Sequence, residues 1–295
     1  MQIRDFLSYV FFCYFLLMPD LSIAGVDLPW STTFNCGSTD PYWTTYSDPL
    51  DCDGMEKGGN NSCSPGSIFE SITSSANYPG GNGGKGLRNW KGNGVDNGSG
   101  GISLEFASPQ PELYIRWNMR YQSGFTWSYP NYDKWLYMRT AAYPNGGPSQ
   151  IIPEWYGWDG IRVYIQVINS EVTCTGCGWD AVMKHGTVVN GHRTSDGQWH
   201  EFEIHIKMDT NGRNGIIEFW VDGVKVISAN NIHFGTPKGV HWMGLVSNQA
   251  TPSNGKCMAV DWDDIAISNT GYIGLLSDSQ PVRKPTLSSH LPAGR

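Results

Sequence analysis

The chain has 295 residues, 39% hydrophobic and 13% aromatic, with a formal net charge of −7. That is enough apolar material for one large core, and the acidic balance argues against a nucleic-acid partner while still allowing an acidic sugar polymer in a locally basic groove. Charged residues make up only 16%, below the ~25% usual for soluble domains.

In chain order, Arg4 precedes an apolar run from Phe6 to Met18 broken only by Ser8, and Ser22-Ile23-Ala24 follows with small residues. A positive start, an apolar centre and a small-residue site predict a secretory signal peptide over residues 1–24. The run is shorter than the ~20 residues that span a bilayer, and no later segment is apolar enough to do so. The expected product is secreted, extracellular or periplasmic, with no membrane partner. Loss of Arg4, Asp5 and Asp20 changes the charge from −7 to −6 (−7 − 1 + 2).

Six cysteines then remain, Cys36, Cys52, Cys63, Cys174, Cys177 and Cys257. An even number in an exported chain predicts disulfides, and the spacing leaves the pairing open. Cys174-Thr-Gly-Cys177 lacks the second pair that zinc needs and the helix that a redox motif opens, so a small disulfide loop is expected.

Residues 25–66 are rich in turn formers and predict an irregular, disulfide-containing entry segment. Residues 77–101, dense in glycine, predict a long loop with little strand. Short alternating runs follow. Leu113, Ile115, Trp117, Met119 and Tyr121 share one side of a strand over 112–121. Ile161, Val163, Ile165 and Val167 do so over 161–168, and Phe202, Ile204, Ile206 and Met208 over 199–208. Ile217, Phe219 and Val221 do so over 216–221, where Asp222-Gly223 then predicts a tight hairpin turn. A strand over 259–267 closes the domain, and residues 275–295 predict a disordered tail. The pattern is all-β, an antiparallel sandwich or barrel in one domain.

The opposite strand sides carry the candidate chemistry. They read Tyr114, Arg116, Asn118 and Arg120; Arg162, Tyr164 and Gln166; Glu201, Glu203, His205 and Lys207; Glu218 and Trp220. Planar donors, phenols and stacking surfaces of this kind suit a sugar polymer. Residues 125–158 add ten aromatics in a stretch broken by proline and glycine, Trp127 among them. About half of these are expected in the core.

Asp196-Gly197-Gln198-Trp199-His200-Glu201-Phe202, then Glu218-Phe219-Trp220-Val221-Asp222-Gly223, and finally Val260-Asp261-Trp262-Asp263-Asp264-Ile265 resemble the concanavalin A-like (laminin G-like) jelly roll. Within it they look like the bacterial polysaccharide lyases of the heparin lyase I, alginate lyase and glucuronan lyase type. The resemblance implies a two-sheet antiparallel jelly-roll sandwich over residues 67–274. Its concave sheet would bind a polysaccharide and cleave a uronic-acid glycan by β-elimination. That reaction needs donors that neutralise the carboxylate, a base that takes the C5 proton, and an acid for the leaving oxygen. The resemblance implies Arg116, Asn118 and Gln166 as neutralisers, His205 or Tyr164 as base, and Tyr164 or Tyr114 as acid. Arg120, Lys134, Arg162 and Lys207 would hold further carboxylates, with Trp127, Glu218 and Trp220 lining the groove.

The family pattern Gln-aliphatic-His is here Gln166-Val167-Ile168, so His205 stands in for the missing histidine. No cofactor is needed. Calcium on Asp261 and Asp263, which share a strand side, is the alternative to their capping a turn. The chain is expected to act as a monomer. Two other functions fit less well. One is a lectin-like binder without catalysis. The other is a glycoside hydrolase, which needs two carboxylates ~5 Å apart, drawn from Glu201, Glu203 and Glu218.

Overall fold

A computed structural model of the chain describes residues 27–34, 44–45, 70–81, 84–91, 101–125, 132–140, 149–156, 162–169, 187–188, 197–234, 239–246 and 257–276. Residues 1–24, expected to be a signal peptide, residues 277–295 of the expected tail, Trp127 and the Cys174–Cys177 segment lie outside these residues. The strands are β1 (Trp30–Thr32), β2 (Thr44–Thr45), β3 (Glu70–Thr73), β4 (Gly86–Lys91), β5 (Gly101–Gln110), β6 (Glu112–Tyr121), β7 (Tyr132–Lys134) and β8 (Leu136–Arg139). They continue with β9 (Ser149–Tyr156), β10 (Arg162–Asn169), β11 (Thr187–Val188), β12 (His200–Lys207), β13 (Gly215–Val221), β14 (Val224–Ile232), β15 (Val240–Val246) and β16 (Met258–Ser268).

Two antiparallel sheets form the fold. Sheet I runs β14-β13-β12-β6-β16-β4-β3, with β1 also paired to β16. Sheet II runs β11-β10-β9-β8-β15-β5-β2, with β7 also paired to β9. The chain passes repeatedly from one sheet to the other, β5 to β6 and β15 to β16 among the crossings, so both sheets are built from distant segments. This is the jelly-roll sandwich expected from the sequence.

Alternation dictates the core. The inward set of β6 (Leu113, Ile115, Trp117, Met119, Tyr121) is buried, as are Phe202, Ile204 and Ile206 of β12 and Ile217, Phe219 and Val221 of β13. Sheet II answers with Leu104, Phe106, Leu136, Met138, Ile151, Met243 and Leu245. At the centre Trp117 lies 5.6 Å from Phe202, 5.9 Å from Phe219 and 6.2 Å from Trp135, centroid to centroid. Such ring pairs add about 0.5–1.5 kcal/mol each beyond the area they bury. Trp135 Nε1–H donates to Tyr121 Oη at 3.0 Å, which satisfies a polar atom in that apolar centre. Within the 125–158 aromatic stretch, Phe125 and Trp135 are therefore core. The hairpin after β13 has φ of 49° at Asp222 and 77° at Gly223, the left-handed pair that a two-residue turn requires.

The glycine-rich region over 77–101 is less uniform than the sequence suggests. It contains β4, paired with both β3 and β16. Glycines flank that strand, and its inward positions, Leu87 and Asn89, give a weak apolar alternation. The entry segment also contributes structure: β1 pairs with β16, and Phe34 joins the core.

Candidate active site

The five residues proposed as catalytic divide between the two sheets of the sandwich. Arg116 and Asn118 (β6) and His205 (β12) belong to sheet I, whereas Tyr164 and Gln166 (β10) belong to sheet II. The hydrophobic core separates the groups, so no single sugar ring can touch both. Tyr114, Arg120, Lys207, Glu218 and Trp220 likewise fall on sheet I, and Lys134 and Arg162 on sheet II.

On sheet I these residues bind one another. His205 Nδ1 lies 2.9 Å from Glu218 Oε2 and its Nε2 lies 2.9 Å from Glu112 Oε1. Tyr114 stacks on the imidazole at 4.1 Å and 3°. Lys225 holds Glu218 at 2.6 Å and Lys207 holds Glu112 at 3.2 Å. Arg120 and Arg88 share the Asp261 carboxylate. Asn118 is fully buried, between Glu201 and Asp263 in the register.

Residues 271–276 then strap the face. The backbone N–H groups of Ile273 and Gly274 donate to the two oxygens of Glu203 at 2.8 and 2.9 Å, and Leu276 N–H donates to Glu201 at 2.8 Å. Arg116 Nη1 donates to the Gly274 carbonyl at 3.1 Å, and Tyr272 packs on Trp220 at 5.0 Å. Gly274 has φ of 78°, a conformation that costs glycine little. It lets two successive N–H groups converge on one carboxylate. Arg116 and His205 are therefore bonded within this sheet and its strap, as are Glu201, Glu203 and Glu218, while Asn118 is buried with neither amide atom hydrogen-bonded. Asp263 accepts from the N–H groups of Tyr78 and Asp264, which is the turn-capping role. Among the described residues no group of three or more His, Cys, Asp or Glu side chains is arranged to hold a metal ion.

Burial has a titration consequence on this face. It pushes Glu201 up to about 7 and Asp263 up to about 7, against ordinary values of 4.5 and 3.8. A carboxyl whose pKa is raised on folding stabilises the fold most while it is protonated, below its unfolded pKa, and this contribution is lost as pH climbs through the folded value. Stability is therefore expected to fall between about pH 4.5 and 7, by about 1–2 kcal/mol for each group after allowance for solvent. Urea midpoints across this range check it. Glu201→Gln should flatten the slope, and an unchanged slope in that variant would count against the assignment.

The outer face of sheet II is built differently. Arg139 of β8 pairs with Trp242 of β15 and with Gln150 of β9, Trp242 pairs with Glu105 of β5, and Gln150 pairs with Ile168 of β10. This cross-strand row spans four inter-strand spacings, about 19 Å. Gln166 and Tyr164 follow in the same strand phase of β10, opposite Ile152 and Glu154. Glu154 also pairs with Lys134, and Arg162 pairs with Tyr156. The four sheet II residues expected from the sequence thus share one register phase with Arg139.

Arg139 and Trp242, which sequence reasoning passed over, come together on this face with Tyr137, one of the ten aromatics over 125–158. The Arg139 guanidinium lies 4.7 Å from the Tyr137 ring and 5.3 Å from the Trp242 ring, and those rings stand 6.5 Å apart at 71°. These distances describe a corner with the guanidinium held inside it, not a sandwich. His241 faces Glu105 across 3.5 Å. The signal for Arg139 was present: Leu136 and Met138 alternate with Tyr137 and Arg139. A four-residue strand inside an aromatic-rich stretch hid it.

The two-sheet antiparallel jelly roll places the chain in a fold class that hosts many unrelated functions. The sequence pattern described as "Polysaccharide lyase" matches residues 99–250. This chain belongs to the polysaccharide lyase family. A solved alginate lyase, Aly36B, superposes with a TM-score of 0.52 at 14% identity, covering 84% of this chain and 99% of that one. An endo-β-1,4-glucuronan lyase from the fungus Trichoderma reesei gives 0.44 at 14% identity over 72% and 91%. The Emp47p carbohydrate recognition domain gives 0.48 at 11% identity over 83% and 97%. At such identities the likeness is one of fold. No curated protein matches the chain.

Proposed function

We propose that the protein is exported and cleaves a uronic-acid polysaccharide by β-elimination on the outer face of sheet II. The observation that carries this reading is the cluster on sheet II: the Arg139 guanidinium lies beside the Tyr137 and Trp242 rings, His241 faces Glu105, and the same sheet holds Tyr164, Gln166, Lys134 and Arg162.

In this reading Arg139, with Gln166, meets the sugar carboxylate and makes the C5 proton acidic. Tyr164 exchanges protons with the substrate. His241, oriented by Glu105, takes the imidazole role first given to His205. The C5–H electrons form the C4=C5 double bond, the C4–O bond breaks, and the leaving oxygen takes a proton. Lys134 and Arg162 hold flanking carboxylates along a face wide enough for several sugar rings. Export is supported by the composition of residues 1–24 and by Cys257, which is disulfide-bonded.

The test is incubation of purified protein with alginate, glucuronan, heparin and pectate while following the unsaturated product near ~235 nm, the signature of base-catalysed elimination. Absorbance growth with at least one polymer is expected. Glycan binding with no product from any of them would support the lectin-like reading instead.

A further inference from the structure

Gly244 of β15 has no side chain, and the Trp242 indole occupies the space a side chain would fill. A Cβ built on Gly244 would stand 2.5 Å from Trp242 Cη2 and 3.2 Å from Cζ2 and Cζ3. All three atoms belong to the six-membered ring, so the far end of the indole lies over the glycine, two residues along the same strand face. Trp242 is only 3% exposed, so its ring has little room to move aside. The same ring forms one wall of the corner that holds Arg139, and Tyr137, the other wall, pairs in register with Gly244 itself.

We infer that Gly244 is a positioning residue: by leaving room for the Trp242 indole to lie flat on the sheet, it sets where the Arg139 guanidinium meets the substrate carboxylate. This rests on the reading of sheet II as the catalytic face. Stacking engages the planar surface of a guanidinium, while its N–H groups donate in the plane. Aromatic walls can therefore aim those donors without competing for them. A β-carbon at 244 pushes the indole outward and opens the corner. A misplacement of about 1 Å in such a group costs up to about 10²-fold in rate.

The experiment is a double-mutant cycle on the full chain, with kcat, KM and the thermal midpoint measured for each protein. Gly244→Ala is expected to lower kcat/KM by about 10- to 100-fold when assayed well below its midpoint, which the overpacking also lowers. Trp242→Phe removes the atoms that clash, so adding Gly244→Ala to it should cost less than about 3-fold more, a coupling that independent sites do not show. Additive losses, or a crystal structure of Gly244→Ala with the indole unmoved, overturn the inference, and the structure needs no substrate. Arg139→Ala separates the two levels. Full activity in that variant removes the reading of the face, whereas lost activity beside an additive cycle removes the role of Gly244 alone.

Discussion

Arg139→Ala is expected to lower kcat/KM by about 10²–10³-fold, the cost of removing one preorganised donor from a developing oxyanion. The thermal midpoint should change little, because Arg139 lies on the outer side of β8 and the core contacts of Leu136 and Met138 remain. Arg139→Lys should recover only part of the loss. A lysine keeps the charge but lacks the planar fork and stacks less well in the Tyr137–Trp242 corner. The opposite pattern is expected at His205. Its two ring nitrogens contact Glu112 and Glu218, both at 2.9 Å, so His205→Gln strands part of a buried network and costs about 1–3 kcal/mol of stability. Its kcat/KM should stay within about 3-fold, since the residue lies on the other sheet. Measured side by side on the best polymer, the two variants decide which face works. A large catalytic loss at His205 with none at Arg139 would reverse the assignment.

The contrast also shows what strand alternation conveys. The period-two pattern identified β6, β12, β13 and β16 and their inward residues, because a buried side must be apolar and the backbone alternates strictly. It identified the outward residues equally well. What it cannot carry is which of two outward faces a strand presents. That depends on pairing between segments far apart in sequence: β6 sits between β12 and β16, while β10 sits between β9 and β11. Arg116 and Tyr164 look equivalent along the chain and end on opposite sides of the molecule. The strap had a different cause. Gly271 to Leu276 carries its information in backbone N–H groups donated to Glu201 and Glu203, and backbone donors leave no mark on composition. The close approach at Gly244 is legible only in three dimensions, because it depends on where the Trp242 indole lies.

Asp261→Asn is expected to destabilise the protein by about 3–5 kcal/mol, the cost of removing one partner from a buried ion cluster. Asp261 is 2% exposed. Its Oδ1 accepts from Arg88 Nε at 2.7 Å and its Oδ2 from Arg88 Nη2 at 3.0 Å and Arg120 Nε at 3.1 Å. One carboxylate therefore ties β4, β16 and β6 together. Both arginines also donate to the Ser75 carbonyl in the short turn after β3, and Arg120 covers the Trp199 ring at 4.8 Å. An amide of equal volume accepts fewer of these bonds and leaves two guanidinium groups facing each other without a counter-charge. Because the carboxylate is buried, the loss should persist at high salt, where exposed pairs are screened. Replacing the whole cluster, as Arg88→Met, Asp261→Leu and Arg120→Met together, should recover most of the stability, since apolar packing can replace a fully removed buried ion group. Urea midpoints of the single and triple variants check both statements. A single variant costing under about 1 kcal/mol would mean that the cluster behaves as an exposed pair.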